Sequence, residues 1–154
     1  MEIRQIHLDD SEVVIPLFDQ YRVFYKQPSD IALADHFIKT RLENNESVIF
    51  VAFVNNPNGE SAVGFTQLYP KYSSVRAIRN WILNDLYVDE HHRGQGIGQE
   101  LIATAMDFAK QQGAKLIQLE TAIDNYHAQR LYETIGFIQQ EPDKDFLLYR
   151  INVN

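Results

Sequence analysis

The chain of 154 residues contains no cysteine. That excludes a disulfide framework, a cysteine nucleophile and a thiolate metal site. No apolar run approaches the roughly 20 residues needed to span a bilayer, and Met1-Glu2-Ile3-Arg4 lacks the apolar stretch of a secretory leader. A soluble, cytoplasmic protein with no membrane partner is the expectation. Positive charge is scarce: 14 Lys and Arg stand against 21 Asp and Glu, a formal net charge of −7. Such a surface argues against nucleic acid as partner. It suits a cationic substrate such as an amine, and equally suits plain solubility. The rest is ordinary for a globular protein, 45% apolar and 23% charged. The length fits one domain over 1–154, able to bury about two-thirds of its unfolded surface.

Glycine is also sparse, seven in all, yet three fall at positions 94, 96 and 98. They close the stretch from Asn80 to Gly98, which reads as a strand, a short polar loop and a glycine turn opening a long helix. Glycine lets backbone N–H groups converge without Cβ interference, and a helix start adds unpaired N–H groups and a positive dipole end. The turn is suited to an anion such as a phosphate. Ile97-Gly98-Gln99 supplies no Gly-Lys-Ser/Thr, so it is not an NTPase loop, and Gln99 stands where a dinucleotide fingerprint needs its third glycine. The spacing Arg93-x-x-Gly96-x-Gly98 remains.

In chain order, Glu2–His7 reads as a strand. Asp9, Asp10 and Ser11 cap a helix with Val13, Val14, Leu17, Phe18, Tyr21 and Phe24 at helical spacing. Tyr25, at its aromatic end, is a candidate for lining an acceptor pocket. Pro28-Ser29-Asp30 opens a second helix, 31–44. Ser47–Val54 and Ser61–Tyr69 are strands joined by a hairpin loop at Asn55–Glu60, and Pro70–Ser74 is a polar break before a long strand, Arg76–Val88. The helix after the glycine turn ends at Gly113. Lys115–Thr121 is a strand, 126–135 a helix closed by Gly136, and further strands begin at Phe137 and span Phe146–Val153. His91, His92, Asp89 and Glu90 are consecutive in a loop rather than spaced on one face, so no metal is expected there.

Asn125-x-x-Ala128-x-x-x-Tyr132-x-x-x-Gly136-Phe137, with the earlier Arg93-x-x-Gly96-x-Gly98, resembles the signatures of the GNAT acetyltransferases. The likeness covers roughly 76–150 and is closest in motif to the polyamine, histone and D-amino-acid acetyltransferase branch. It implies an α+β fold: a mixed, mostly antiparallel sheet of six to seven strands flanked by about four helices. It further implies an N-acetyltransferase that moves the acetyl group of acetyl-CoA to a primary amine, on a small molecule or a peptide, by direct attack in a ternary complex. The alternative is a CoA-binding regulatory or structural domain. The same resemblance implies a homodimer.

The resemblance also implies roles. Leu86, Tyr87 and Val88 would run beside the pantetheine. Arg93, Gly94, Gln95, Gly96, Ile97, Gly98 and Gln99 would hold the pyrophosphate, and Asn125 would bond the pantetheine while capping its own helix. Tyr132 is the candidate general acid for the departing thiolate. An alkylamine with a pKa of about 10.4 is neutral in only about one molecule in a few thousand at pH 7, so a base is needed. Asn84 stands where the polyamine branch carries a glutamate, and asparagine cannot serve. Asp85, Glu120 or a water chain are the candidates. Asp85 faces away from Asn84 on an ideal strand unless a bulge re-aims it.

Overall fold

The computed structural model describes residues 1–153. The chain groups into two units, Met1–Glu120 and the residues from Thr121 onward. The first contains β1 (Glu2–Ile6), α1 (Ile15–Phe24), α2 (Ile31–Glu43), β2 (Val48–Asn56), β3 (Gly59–Ser73), β4 (Ile78–Val88), α3 (Ile97–Gln111) and β5 (Ile117–Gln118). The second contains α4 (Tyr126–Ile135). Among the described residues no helix is long and apolar enough to cross a membrane.

The five strands form one sheet in the order β1-β2-β3-β4-β5, antiparallel except for the parallel β4–β5 pair. The fold class expected from the sequence holds, but with five strands among the described residues instead of six to seven. Among the described residues no strand pairs with Phe137 or with Phe146–Val153, which have no regular structure. A strand exists through its neighbour's hydrogen bonds, and β-prone composition alone does not supply one. The Pro70–Ser74 break is also corrected: β3 runs through Pro70 to Ser73. β2 begins at Val48, opposite Leu68, so one edge of β3 is open beyond that point and tolerates a residue without an N–H. At the start, a 3-10 turn over Leu8–Val13 precedes α1, held by His7 N–H donating to Asp10 Oδ1 at 2.6 Å.

The two sheet faces are covered differently. Ile49, Val51 and Phe53 of β2 and Phe65 of β3 pack with Val14, Leu17 and Phe18 of the α1 region and Ala34 and Ile38 of α2. On the other face α3 buries Leu101, Ile102, Ala105 and Ala109, and Phe108 lies 5.6 Å from Phe50 and 5.2 Å from Trp81, ring to ring. Buried Asp19 joins α1 to α2: it accepts from Ser29 Oγ at 2.6 Å and from Asp30 N–H at 2.8 Å, while Asp30 caps α2 through Leu33 N–H at 3.0 Å.

Gly64 lets α3 approach the sheet. A Cβ there would meet Tyr87 O at 3.1 Å, Leu101 Cδ1 at 3.3 Å and Ile97 Cγ2 at 3.4 Å. Ile97 is the first residue of α3, so this contact seats the helix start beside β4. Gly64→Val is expected to destabilise the protein by about 1–3 kcal/mol through overpacking, read as a lower urea midpoint at unchanged m-value. An unchanged midpoint would mean the α3 contact is not tight.

Candidate functional site

The site begins with one extra residue in β4. In the β3–β4 ladder Gln67 faces Asp85 but Leu68 faces Leu83, so Asn84 has no opposite number. Successive strand residues ordinarily point to opposite faces. Here the bulge turns both Asn84 and Asp85 into one pocket. It also shifts the phase of the strand. Trp81 packs on Phe108 of α3, whereas Tyr87, six residues on, packs with the α1–α2 core on the other face. Thr66 Oγ1 donates to the Asp85 carbonyl at 2.8 Å, satisfying a group at the disrupted ladder.

The pocket has a volume of about 370 Å³. One wall is Phe18, Tyr21 and Arg22, one face of α1 at i, i+3 and i+4; another is Leu33 and Phe37 of α2; Tyr69, Asn84 and Asp85 form the floor. Asp85 is 2% exposed. Its Oδ1 accepts from Asn84 Nδ2 at 2.9 Å, its Oδ2 accepts from Gln67 Nε2, and the Tyr21 hydroxyl donates to the carboxylate. Burial pushes the Asp85 carboxyl above the usual carboxylate range, and these hydrogen bonds only partly oppose it. Burial, with the Asp85 charge adding to it, also pushes up the phenols of Tyr21, Tyr69 and Tyr25.

Beyond the bulge, β4 has an open side. β5 pairs only with Trp81 and Ile82, so among the described residues no strand pairs with 83–88 on that edge. After Val88 a 3-10 turn at Glu90–His92 leads to the glycines. Asp89 caps that turn, accepting from His91 N–H at 2.8 Å. Arg93 Nε donates to Val88 O at 2.9 Å, and its guanidinium lies 5.4 Å from the Tyr87 ring. Gly94 and Gly96 have φ of +78° and +81°, and Gly96 begins α3 with no side-chain cap. The first N–H groups of α3 therefore have neither intrahelical nor capping side-chain partners, an arrangement that attracts an anion. Among the described residues no cluster of His, Asp and Glu could hold a metal.

The other expected residues are placed as follows. Tyr25 is half-exposed with its ring 5.0 Å from that of Tyr21, but it does not line the pocket. Glu120 is exposed, past the end of β5, and does not line it either. In the second unit, Asn125 Oδ1 accepts from Ala128 N–H at 3.2 Å and caps α4. Tyr132 is half-buried, with its ring 5.9 Å from Phe137. Sequence reasoning missed Arg22, Gln67 and Tyr69. Phe18, Tyr21 and Arg22 do share a helical face, but nothing local shows that this face meets Asp85.

A sequence model described as the acetyltransferase (GNAT) family matches residues 12–137. The chain is 48% identical to the uncharacterized N-acetyltransferase YhfO of Bacillus subtilis (strain 168), over 99% of this chain and 98% of that protein. It is 35% identical to a probable acetyltransferase of Haemophilus influenzae (strain ATCC 51907 / DSM 11121 / KW20 / Rd), over 82% of each. A crystal structure of a probable acetyltransferase superposes with a TM-score of 0.86 at 36% identity, covering 99% of both chains.

The buried Asp85 carboxyl has a pH signature. With its pKa raised on folding, the folded state keeps a proton that the unfolded state has already released. The stability of the wild type relative to Asp85→Asn should therefore fall as pH rises from the ordinary carboxylate value of about 4 to the raised one, then level off. Urea midpoints of both proteins against pH read this directly. A pH-independent difference would place Asp85 in solvent.

Proposed function

The chain belongs to the acetyltransferase (GNAT) family, and from that premise we propose that it transfers the acetyl group of acetyl-CoA to the nitrogen of an amine bound in the pocket over Asp85. The observation that carries the reading is the Asn84 bulge. It brings a buried carboxylate into an aromatic pocket on the strand whose next residues, Leu86–Val88, lead through one short turn to the glycines. The whole chain is read as one transferase domain, since the family match extends on both sides of residue 120. A homodimer belongs to the same reading, on the resemblance alone.

The residues suit acetyl-CoA in two respects. The open edge of β4 offers backbone groups at 86–88 to an amide-bearing arm, as an added strand would. Gly94–Gln99, with positive φ at Gly94 and Gly96 and an uncapped helix start, offers converging N–H groups to a pyrophosphate. When bound, acetyl-CoA supplies an activated thioester.

The remaining chemistry falls to the chain's own side chains. Asp85 attracts the ammonium form of the acceptor, and Tyr21, Phe18 and Tyr69 surround it with aromatic surface. Asp85 then takes the proton that the amine must lose to attack. A carboxylate raised towards neutrality is a better base than an ordinary one. Asn84 and Gln67 orient Asp85 and take no proton. Tyr132 is assigned the proton donated to the departing thiolate, and Asn125 a hydrogen bond to the pantetheine.

Two experiments test this. Acetyl-CoA at a hundred times its dissociation constant should stabilise the protein by about 2.7 kcal/mol, seen as a raised Tm that ATP and NAD do not reproduce. Gly96→Val, which forces a β-branched residue to a φ of +81°, should abolish the shift, and a retained shift would remove the glycine turn from the binding site. Tyr132→Phe should lower kcat by about 10²–10⁴-fold while the acetyl-CoA shift persists. Full turnover in that variant would show that the phenol is not the acid. Absence of turnover in the wild type, with acetyl-CoA still bound, would favour a CoA-binding domain.

A further inference from the structure

The pocket holds a second charged group that the proposed chemistry leaves without a task. Arg22 lines it from α1, and Arg22 Nη1 is buried with no hydrogen-bond partner. Asp85 lines the same pocket, yet its oxygens are engaged by Gln67, Asn84 and Tyr21. No ion pair joins Arg22 to Asp85 or to any other acidic residue among those described. Asp19, three residues earlier on α1, is committed to Ser29 and Asp30.

Two opposite charges are thus held in one largely aromatic cavity without neutralising each other. Burying a guanidinium nitrogen without an acceptor is unfavourable, because its lost hydration is not replaced. An arginine in this position suits an anionic oxygen, and carboxylate is the planar group whose geometry matches the guanidinium fork. A simple amine or diamine would satisfy Asp85 and leave Arg22 unmatched, with a repulsive cation near it. A ligand carrying both signs satisfies both groups. The volume of about 370 Å³ sits at the small-molecule end of the usual range.

We propose that the acceptor is a small amino acid-type molecule whose ammonium faces Asp85 and whose carboxylate is held by Arg22. This rests on the acetyltransferase reading above and narrows it: polyamines and other purely cationic amines are poor substrates. Arg22 is a specificity-determining residue. It takes no part in proton transfer.

The test compares free amino acids with their own carboxamides, which keep the amine and side chain but lose the negative charge. Simple alkyl diamines form a third set, and the readout is CoA release by the full chain. For accepted side chains, kcat/KM for the acid should exceed that for the carboxamide by about tenfold or more, the scale of one charge-assisted hydrogen bond. Arg22→Gln should bring this ratio close to one, chiefly through KM of the acid, and Arg22→Lys should restore part of it. Tm values of both variants, with and without acetyl-CoA, establish that each is folded and loaded. Equal or better turnover of carboxamides or diamines by the wild type would overturn the inference while leaving amine acetylation intact. So would a preference for acids that survives in folded Arg22→Gln. If acetyl-CoA binds but none of the three sets releases CoA, the amine-acetylation reading itself fails, and this narrowing of it falls too.

Discussion

The site depends on one irregularity: β4 has a residue more than β3 can pair. Without Asn84 unpaired, Asp85 would follow the phase of Trp81 and Leu83 towards α3, where Leu101, Ile102 and Phe108 make an apolar interface. A carboxylate there would meet no donors. With the bulge, Asp85 turns into the α1–α2 side and meets Gln67, Asn84 and Tyr21. The same shift puts Tyr87 against the α1–α2 core, beyond the last residue that β5 pairs. One unpaired residue thus both aims the carboxylate and precedes the open strand edge.

Keeping a carboxylate in such a place is unfavourable, and the surroundings only partly offset it. Three donors hold the charge, but burial still dominates and raises its proton affinity. For a binding group alone this would be a poor arrangement. For a group that must alternate between carboxylate and carboxylic acid it is suitable, since the two forms lie closer in free energy at neutral pH. The neighbouring phenols are driven the other way in function. Raised by burial and by Asp85, Tyr21 and Tyr69 stay protonated as donors or aromatic walls.

The walls are set by contacts far from the chemistry. Asp19 fixes where α2 begins, which sets Leu33 and Phe37 against α1. Gly64 lets α3 start close under β3 and β4, so the glycine turn is held at the end of the strand that carries Asp85. Arg93 ties that turn to Val88 and stacks near Tyr87.

Much of this is legible in the sequence, and for a local reason. The glycine turn, the Asn125 cap, the Gly136 stop and the amphipathic α3 are written in neighbouring residues, because turns, caps and helical periodicity depend on spacings of a few positions. Sheet membership is not local. Phe146–Val153 has strand composition but no partner, and Pro70 reads as a break yet sits inside β3 because the edge beside it is open. The bulge at Asn84 is likewise a relation between two strands, invisible in either one. Arg22 and Asp85 stand 63 positions apart in the sequence, and only the packing of α1 and α2 over β3 and β4 brings them to one pocket. The sequence by itself determined the helices and the glycine turn that opens α3. The tertiary structure decided which face Asp85 takes and which charge shares its pocket, because a side chain's direction in a sheet is set by register with its neighbour.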